Sequence, residues 1–355
     1  MAHMDEWRPV MAMLFFNLIS AVMTALVKKA LEQGLNPLVL ITLRQLVATM
    51  FLAPIAYFKE RNSRPKLTWE IFVYHFFSAV LGAALSQYTF FYGLKFTTAT
   101  FAITFANMAP VLTFLIAIAL RVESLNMKSK AGCAKILGTL MSLGGALLVS
   151  LYKGVAVIAH KSTAAAPSSA QHTSSSASDK KSWMLGTLAL LANCLFFSLW
   201  LLLQSSLTKK YPALYSSTAF MFFISTLQAG ALTVVIERHT SVWIVTNKLE
   251  IATILYSGVM ASAAGFLIMT WCVHKRGPVF TAAFIPIIQI MVAIIDFFFL
   301  HEKLYLGSVL GSVLMIFGLY ILLWGKKKDA SSICCTDSKQ VDEEADDVNK
   351  DQQAA

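Results

Sequence analysis

The sequence predicts an all-α polytopic membrane protein with ten transmembrane helices in two inverted five-helix repeats. Three observations lead there: an apolar composition, the number and length of the apolar runs, and a match between the two halves of the chain. Of 355 residues, 57% are hydrophobic and only 14% are charged. The mean hydropathy is +0.65. A soluble domain carries about a quarter charged residues.

A helix needs about 20 apolar residues to cross the hydrocarbon core, and about ten runs approach that length. The first five cover 9–27, 37–58, 71–94, 98–120 and 133–151. The second five cover 183–203, 214–236, 251–272, 279–300 and 304–324. None alternates as a barrel strand would. The first run is too long for a signal-peptide core and lacks a small-residue cleavage pattern, so it is expected to stay as the first span.

The formal net charge is +10, and the basic residues gather in short loops. Lys59, Arg61, Arg64 and Lys66 form one group, and Arg121, Lys128, Lys130 and Lys135 another. Lys209 with Lys210, Lys275 with Arg276, and Lys326 to Lys328 complete that side. Positive loops face the cytoplasm, which places both termini there. The opposing set is smaller: Lys28, Lys29, Lys180 and Lys181. This distribution reads as topology and lipid contact, not nucleic-acid binding.

The stretch HKSTAAAPSSAQHTSSSASDKKS is too polar to fold on its own and reads as a flexible tether. The expected organisation is a first repeat over 8–153, a linker over 154–182, a second repeat over 183–325 and a disordered cytoplasmic tail over 326–355. Of the five cysteines, Cys133, Cys194 and Cys272 fall in or beside spans and read as packing residues. Cys334 and Cys335 follow the last span, either as a palmitoylation site or as two unmodified thiols.

The halves repeat. LKFTTATFAITF…RVESL aligns with VHKRGPVFTAAF…LHEKL without a gap. Lys95 pairs with His274, Phe105 with Phe284, Glu123 with Glu302, and Asn107 falls on Pro286. Asn17 and Asn193 take similar places in the first helix of each half. An odd number of spans per half forces the second half into the membrane upside down, an arrangement that builds sites at the bilayer midplane.

Polar residues and prolines inside spans then become candidates. Proline frees a carbonyl one turn back and bends a helix, and freed groups survive at that depth only against protein or a water-filled cavity. Thr104, Asn107 and Pro110 interrupt the fourth span; Pro286 and Gln289 interrupt the ninth. These two faces are expected to meet and line a solute path, or else to act as hydrogen-bonding glue between helices. Asn17, Gln87, Asn193 and Trp200 extend the candidate binding set, although Trp200 equally suits packing. Asp296 would carry a proton or pair with an ammonium, or sit at the interface beside His301 or Lys303. Arg44 would hold a substrate carboxylate, or snorkel to the near interface. Glu123 and Glu302 are expected to tie turns. GSVLG, and Gly138 with Ser142, read as small-residue faces joining the fifth and tenth helices.

No phosphate-binding loop, HExxH, paired CxxC or nucleophile elbow is present, so no enzyme activity, cofactor or metal is expected.

The stretch YGLKFTTATFAITFANMAPVLTFLIAIALRVESL, with WCVHKRGPVFTAAFIPI and LHEKLYLGSVLGSVLMIFGLYILLWG, resembles the plant nodulin-like EamA transporters of the drug/metabolite transporter superfamily. That group includes the walls-are-thin proteins and the UMAMIT amino-acid facilitators. The resemblance implies two EamA repeats, cytoplasmic termini, no ATP hydrolysis, and movement of amino acids, auxin or related small solutes. The eighth span departs from the family pattern at Met269, where a glutamine is frequent. The expected partners are a small solute, amino acid or auxin-like, and the lipid bilayer, with the plasma membrane ahead of the vacuolar membrane. A homodimer is compatible with this architecture. The competing readings are a non-transporting receptor or scaffold, a membrane-embedded enzyme, and a nucleotide-sugar or triose-phosphate carrier, which would need more buried cations.

Overall fold

The structure, a computed structural model, describes residues 2–62, 64–97, 102, 105–123, 129–152, 156–158, 177–237, 240–299, 304–307, 309–326 and 328. Helix α1 spans Ala2–Glu32 and α2 spans Pro37–Glu60. Pro37 opens α2 behind the Asn36 cap, whose Oδ1 accepts the Leu38 amide at 2.9 Å. Helix α3 runs through Trp69–Ser78, a π-helical segment Ala79–Leu85, and Ser86–Phe96. Helix α4 is Ala109–Ala119, and α5 is Lys130–Leu151 behind a Ser129 cap.

In the second half, α6 spans Ala177–Lys210 and α7 spans Leu214–Ile236. Helix α8 runs through Lys248–Tyr256, a π segment Ser257–Ala264, and Gly265–Arg276. Gly277 ends it at φ 86°, a left-handed backbone that glycine adopts without strain. Pro278 then opens α9, which comes in two pieces, Pro278–Ala283 and Ile287–Phe299. Helix α10 is Val309–Lys326. Among the described residues, nine helices are long and apolar enough to cross a membrane, and Ala109–Ala119 is a shorter apolar helix.

Two extents differ from expectation. Helix α6 reaches back to Ala177, inside the stretch read as linker. Leu304–Tyr305, assigned by hydropathy to the tenth span, is extended and pairs antiparallel with Ala156–Ile158. Hydropathy measures apolar content, and a short apolar strand scores as a helix does.

The inversion is visible where α2 meets α7. Thr42 Oγ1 lies 3.0 Å from Thr233 Oγ1, and Thr49 Oγ1 lies 3.4 Å from Thr226 Oγ1. Rising numbers on one helix meet falling numbers on the other, so the second helices of the two halves run antiparallel. Glu60, at the end of α2, accepts the amides of Tyr215 at 3.0 Å and Ser216 at 2.7 Å. It caps the positive N-terminus of α7. At the opposite end, Asn36 donates to Glu237 at 2.8 Å.

Helices α5 and α10 pack backbone to backbone. A Cβ at Gly138 would lie 2.5 Å from the Leu322 nitrogen, and one at Gly145 would lie 2.6 Å from the Gly311 oxygen. These are the small-residue faces read from the sequence. Glu123, just past α4, bridges Lys135 of α5 at 3.3 Å and Lys326 of α10 at 3.1 Å. Its repeat counterpart Glu302 lies outside the described residues, as does everything after Lys328.

Candidate functional site

Among the described residues, both the fourth and ninth helices are interrupted. In the first half, 107–108 turn between helical Phe105 and the start of α4. Pro110 occupies the first turn of the new helix, where its missing N–H costs nothing. It starts a helix here instead of kinking a continuous one. In the second half, 284–286 turn before Ile287. The turn closes by short-range bonds, Ile285 N to Ala282 O at 3.0 Å and Ile287 N to Phe284 O at 3.1 Å.

The two breaks are joined. Asn107 Nδ2 donates to Gln289 Oε1 at 2.6 Å, and Asn107 is buried. The first helix of each half supports a break. Asn17 Nδ2, on α1, donates to the Phe284 carbonyl at 3.0 Å. Its Oδ1 is buried without a partner. On α6, Cys194 Sγ donates to the Phe105 carbonyl at 2.7 Å. Phe105 and Phe284 are the residues paired by the repeat, so the same carbonyl is taken by the same helix in both halves, once by an amide and once by a thiol. Asn193 turns aside and donates to the Ser86 carbonyl. Ser198, one turn beyond Cys194, donates to the Ala109 carbonyl at 3.3 Å and accepts from Thr113 Oγ1 at 3.1 Å. Sequence reasoning missed Cys194 and Ser198 as partners of the α4 break. Their one-turn spacing on α6 was the available signal.

Trp200 is fully buried. Its Nε1 donates to Ser78 Oγ at 3.1 Å, and Ser78 donates to Gln204 Oε1 at 3.2 Å. Gln204 Nε2 continues to Thr270 Oγ1 at 3.1 Å. The indole lies 5.2 Å from the Phe266 ring and 5.6 Å from Phe197, centroid to centroid. A Cβ at Gly82 would overlap it. Trp200 thus fills the notch left by the π segment of α3, with its N–H satisfied. Met269 joins the same apolar core.

The repeat offset that pairs Lys95 with His274 carries Ala79–Leu85 onto 258–264, inside the second π segment. π segments concentrate at functional positions in helices. Both stretches are dense in small residues, AVLGAAL and SGVMASAA, the one hint the sequence held.

Arg44 is 9% exposed. Its Nη1 lies 3.9 Å from Met23 Sδ, and its Nε is buried without a partner. It does not snorkel, because its side chain is enclosed. The neighbouring Gln45 is fully engaged: Nε2 donates to the Ala83 carbonyl at 3.0 Å, and Oε1 accepts from Ser225 at 2.7 Å. On α3, Gln87 Oε1 is buried and unpartnered. Thr104 and the side chain of Asp296 lie outside the described residues.

The structure therefore brings together Asn107, Pro110, Pro286, Gln289 and Asn17. It sets Trp200, Asn193, Gln87 and Arg44 in other parts of the bundle. No group of three or more metal-ligating side chains occurs among the described residues. A groove of about 550 Å³ opens sideways between α5 and α10, lined by Lys130, Cys133, Leu137, Tyr320, Ile321 and Trp324. It holds none of the candidate residues.

Paired broken helices in inverted halves define a class, the membrane transporters built from internal repeats. The chain matches the EamA-like transporter family twice, over residues 7–151 and 184–324, and it belongs to that family. Two WAT1-related proteins of Arabidopsis thaliana are similar along nearly their whole length. One is 43% identical, covering 92% of this chain and 89% of the relative. Another is 42% identical, covering 93% and 89%. A solved crystal structure superposes with a TM-score of 0.63 at 16% identity, covering 88% of this chain and 95% of the other. At that identity the likeness concerns the fold alone. The protein is an integral, multi-pass membrane transporter of small solutes.

Proposed function

We propose that the protein is a facilitator of small organic solutes, amino acids first and auxin-like acids second, working by alternating access at the plasma membrane. The two inverted repeats rock around the meeting point of the α4 and α9 breaks. The observation that supports this most is the Asn107–Gln289 bridge at 2.6 Å. It links repeat-related interruptions from opposite halves, the kind of place where transporters built from inverted repeats form their solute site. Thr104, Asn17, Pro110 and Pro286 belong to the same site. Asn193, Gln87 and Trp200 shape the walls that face it when the repeats move. Asp296 lies two turns beyond Gln289 on the same helical face, a position suited to a proton or an ammonium. The domain limits proposed are repeats over 8–153 and 183–325, joined by the 154–182 linker and followed by the 326–355 tail.

The test is uptake and efflux of a labelled amino-acid mixture, with labelled auxin in parallel, in oocytes expressing the chain. Amino-acid flux above uninjected controls supports the first substrate class, and auxin flux alone moves the assignment to the second. No flux of either, with protein confirmed at the surface, would refute the substrate proposal.

A further inference from the structure

We propose that Arg44 receives the carboxylate of the transported solute, in the half of the pathway nearest the N-terminal end of α2. This rests on the transport reading above and adds to it a chemical class and a recognition residue.

Arg44 lies seven residues into α2, about 10 Å along the axis at 1.5 Å per residue. Its guanidinium is a permanent cation with five donors. The described surroundings offer it one thioether sulfur, from Met23 at 3.9 Å, and leave Nε unpartnered. No carboxylate among the described residues pairs with it. A buried charge without a counter-charge is strongly unfavourable inside a membrane protein. Every other described polar side chain of this helix face is engaged, as Gln45 and Thr42 illustrate.

The repeat shows that the fold does not need a cation at this position. Met221 stands seven residues into α7, the same place in the sister helix. It is buried in the apolar core with Trp200 and Phe222. One half thus fills the position with a thioether and aromatic rings; the other keeps a buried guanidinium whose Nε has no partner. Beside it, the π segment of α8 presses its backbone close, so that a Cβ at Gly258 would lie 2.9 Å from the Arg44 carbonyl. A planar fork selects a carboxylate, which can accept two parallel N–H bonds. Phosphate groups would call for further buried cations, and Lys135 and Lys326 are already committed to Glu123.

The experiment uses the full chain in oocytes and the purified protein in detergent, with Arg44→Met and Arg44→Lys. A labelled amino acid is transported against its unlabelled free acid, amide and methyl ester as competitors. In the wild type the free acid should compete at least about tenfold better than the amide or ester, a difference of the size a charge-assisted pair supplies. Arg44→Met should lose that preference and raise KM by about tenfold, while its melting temperature stays equal or rises, because an unpaired buried charge is gone. Arg44→Lys should keep part of the preference. An unchanged preference in Arg44→Met overturns the proposal, and so does a lowered melting temperature in that variant, which would make the guanidinium structural. Wild-type flux that treats acid, amide and ester alike overturns this proposal and leaves the transport reading standing. Absence of all flux refutes both.

Discussion

Replacing Asn107 or Gln289 by alanine removes one hydrogen bond between the two halves of the chain, and its size can be worked out. The bond is neutral and 2.6 Å long. Such bonds contribute about 0.5–1.5 kcal/mol net, and between membrane helices they average about 0.6 kcal/mol. Asn107 is buried, so Asn107→Ala also leaves a cavity and deprives Gln289 Oε1 of this donor. A total loss of about 1–3 kcal/mol in stability follows. In a double-mutant cycle the coupling term should be about 1 kcal/mol, near a fivefold change in the unfolding equilibrium. The assay is melting of the purified single and double variants, read beside flux per surface molecule in oocytes. If the two amides only glue helices together, flux per molecule should stay within about twofold of wild type. If they line the pathway, each single variant should lose flux by more than about tenfold, beyond what that stability loss explains. A coupling of zero would mean the side chains do not meet, and wild-type flux in both single variants would remove them from the path.

Three further outcomes are expected. Gly82→Ala should destabilise by about 1–3 kcal/mol, because the new methyl overlaps Trp200 in a full core; an unchanged melting temperature would refute the packing. Glu123→Gln should cost about 3–5 kcal/mol, since it leaves the buried Lys135 and the nearly buried Lys326 facing each other without their shared anion; Lys135→Met in the same background should recover part of it, measured by melting. Gly145→Val should prevent the close approach of α5 and α10 and lower folded yield on size-exclusion chromatography, whereas the same change at Gly34, with nothing within 4 Å of its Cβ position but φ at 103°, should cost only its local backbone strain, about 1–3 kcal/mol.

The helices were legible because about 20 apolar residues are what a membrane demands, and the inversion followed from five spans in each half. The meeting of Asn107 with Gln289 was legible for a related reason: the repeat aligns the two interruptions, and inversion turns them toward each other. Three things were not. The π segments arise from how α3 and α8 pack on their neighbours, and hydropathy carries no trace of a hydrogen bond shifted by one residue. Trp200 suits packing and a wall of the site equally in the sequence, and its contacts with Ser78, Phe197 and Phe266 depend on how α3, α6 and α8 pack. Arg44 looked like a snorkelling side chain because it begins a third of the way into its span; whether a long side chain turns toward the interface or inward depends on the helices beside it, here α1 and α8.

The alternating access proposed here requires the α4 and α9 breaks to shift against each other as the two repeats rock. The direct measurement places cysteines at Met108 and Ile288, beside the bridging amides, in a background with the native cysteines changed to serine, and joins them with a short bifunctional methanethiosulfonate that a reductant cleaves. Cross-linked protein is expected to carry no solute, and reduction is expected to restore flux to the uncross-linked rate. Solute flux at the full rate through the cross-linked protein would contradict it.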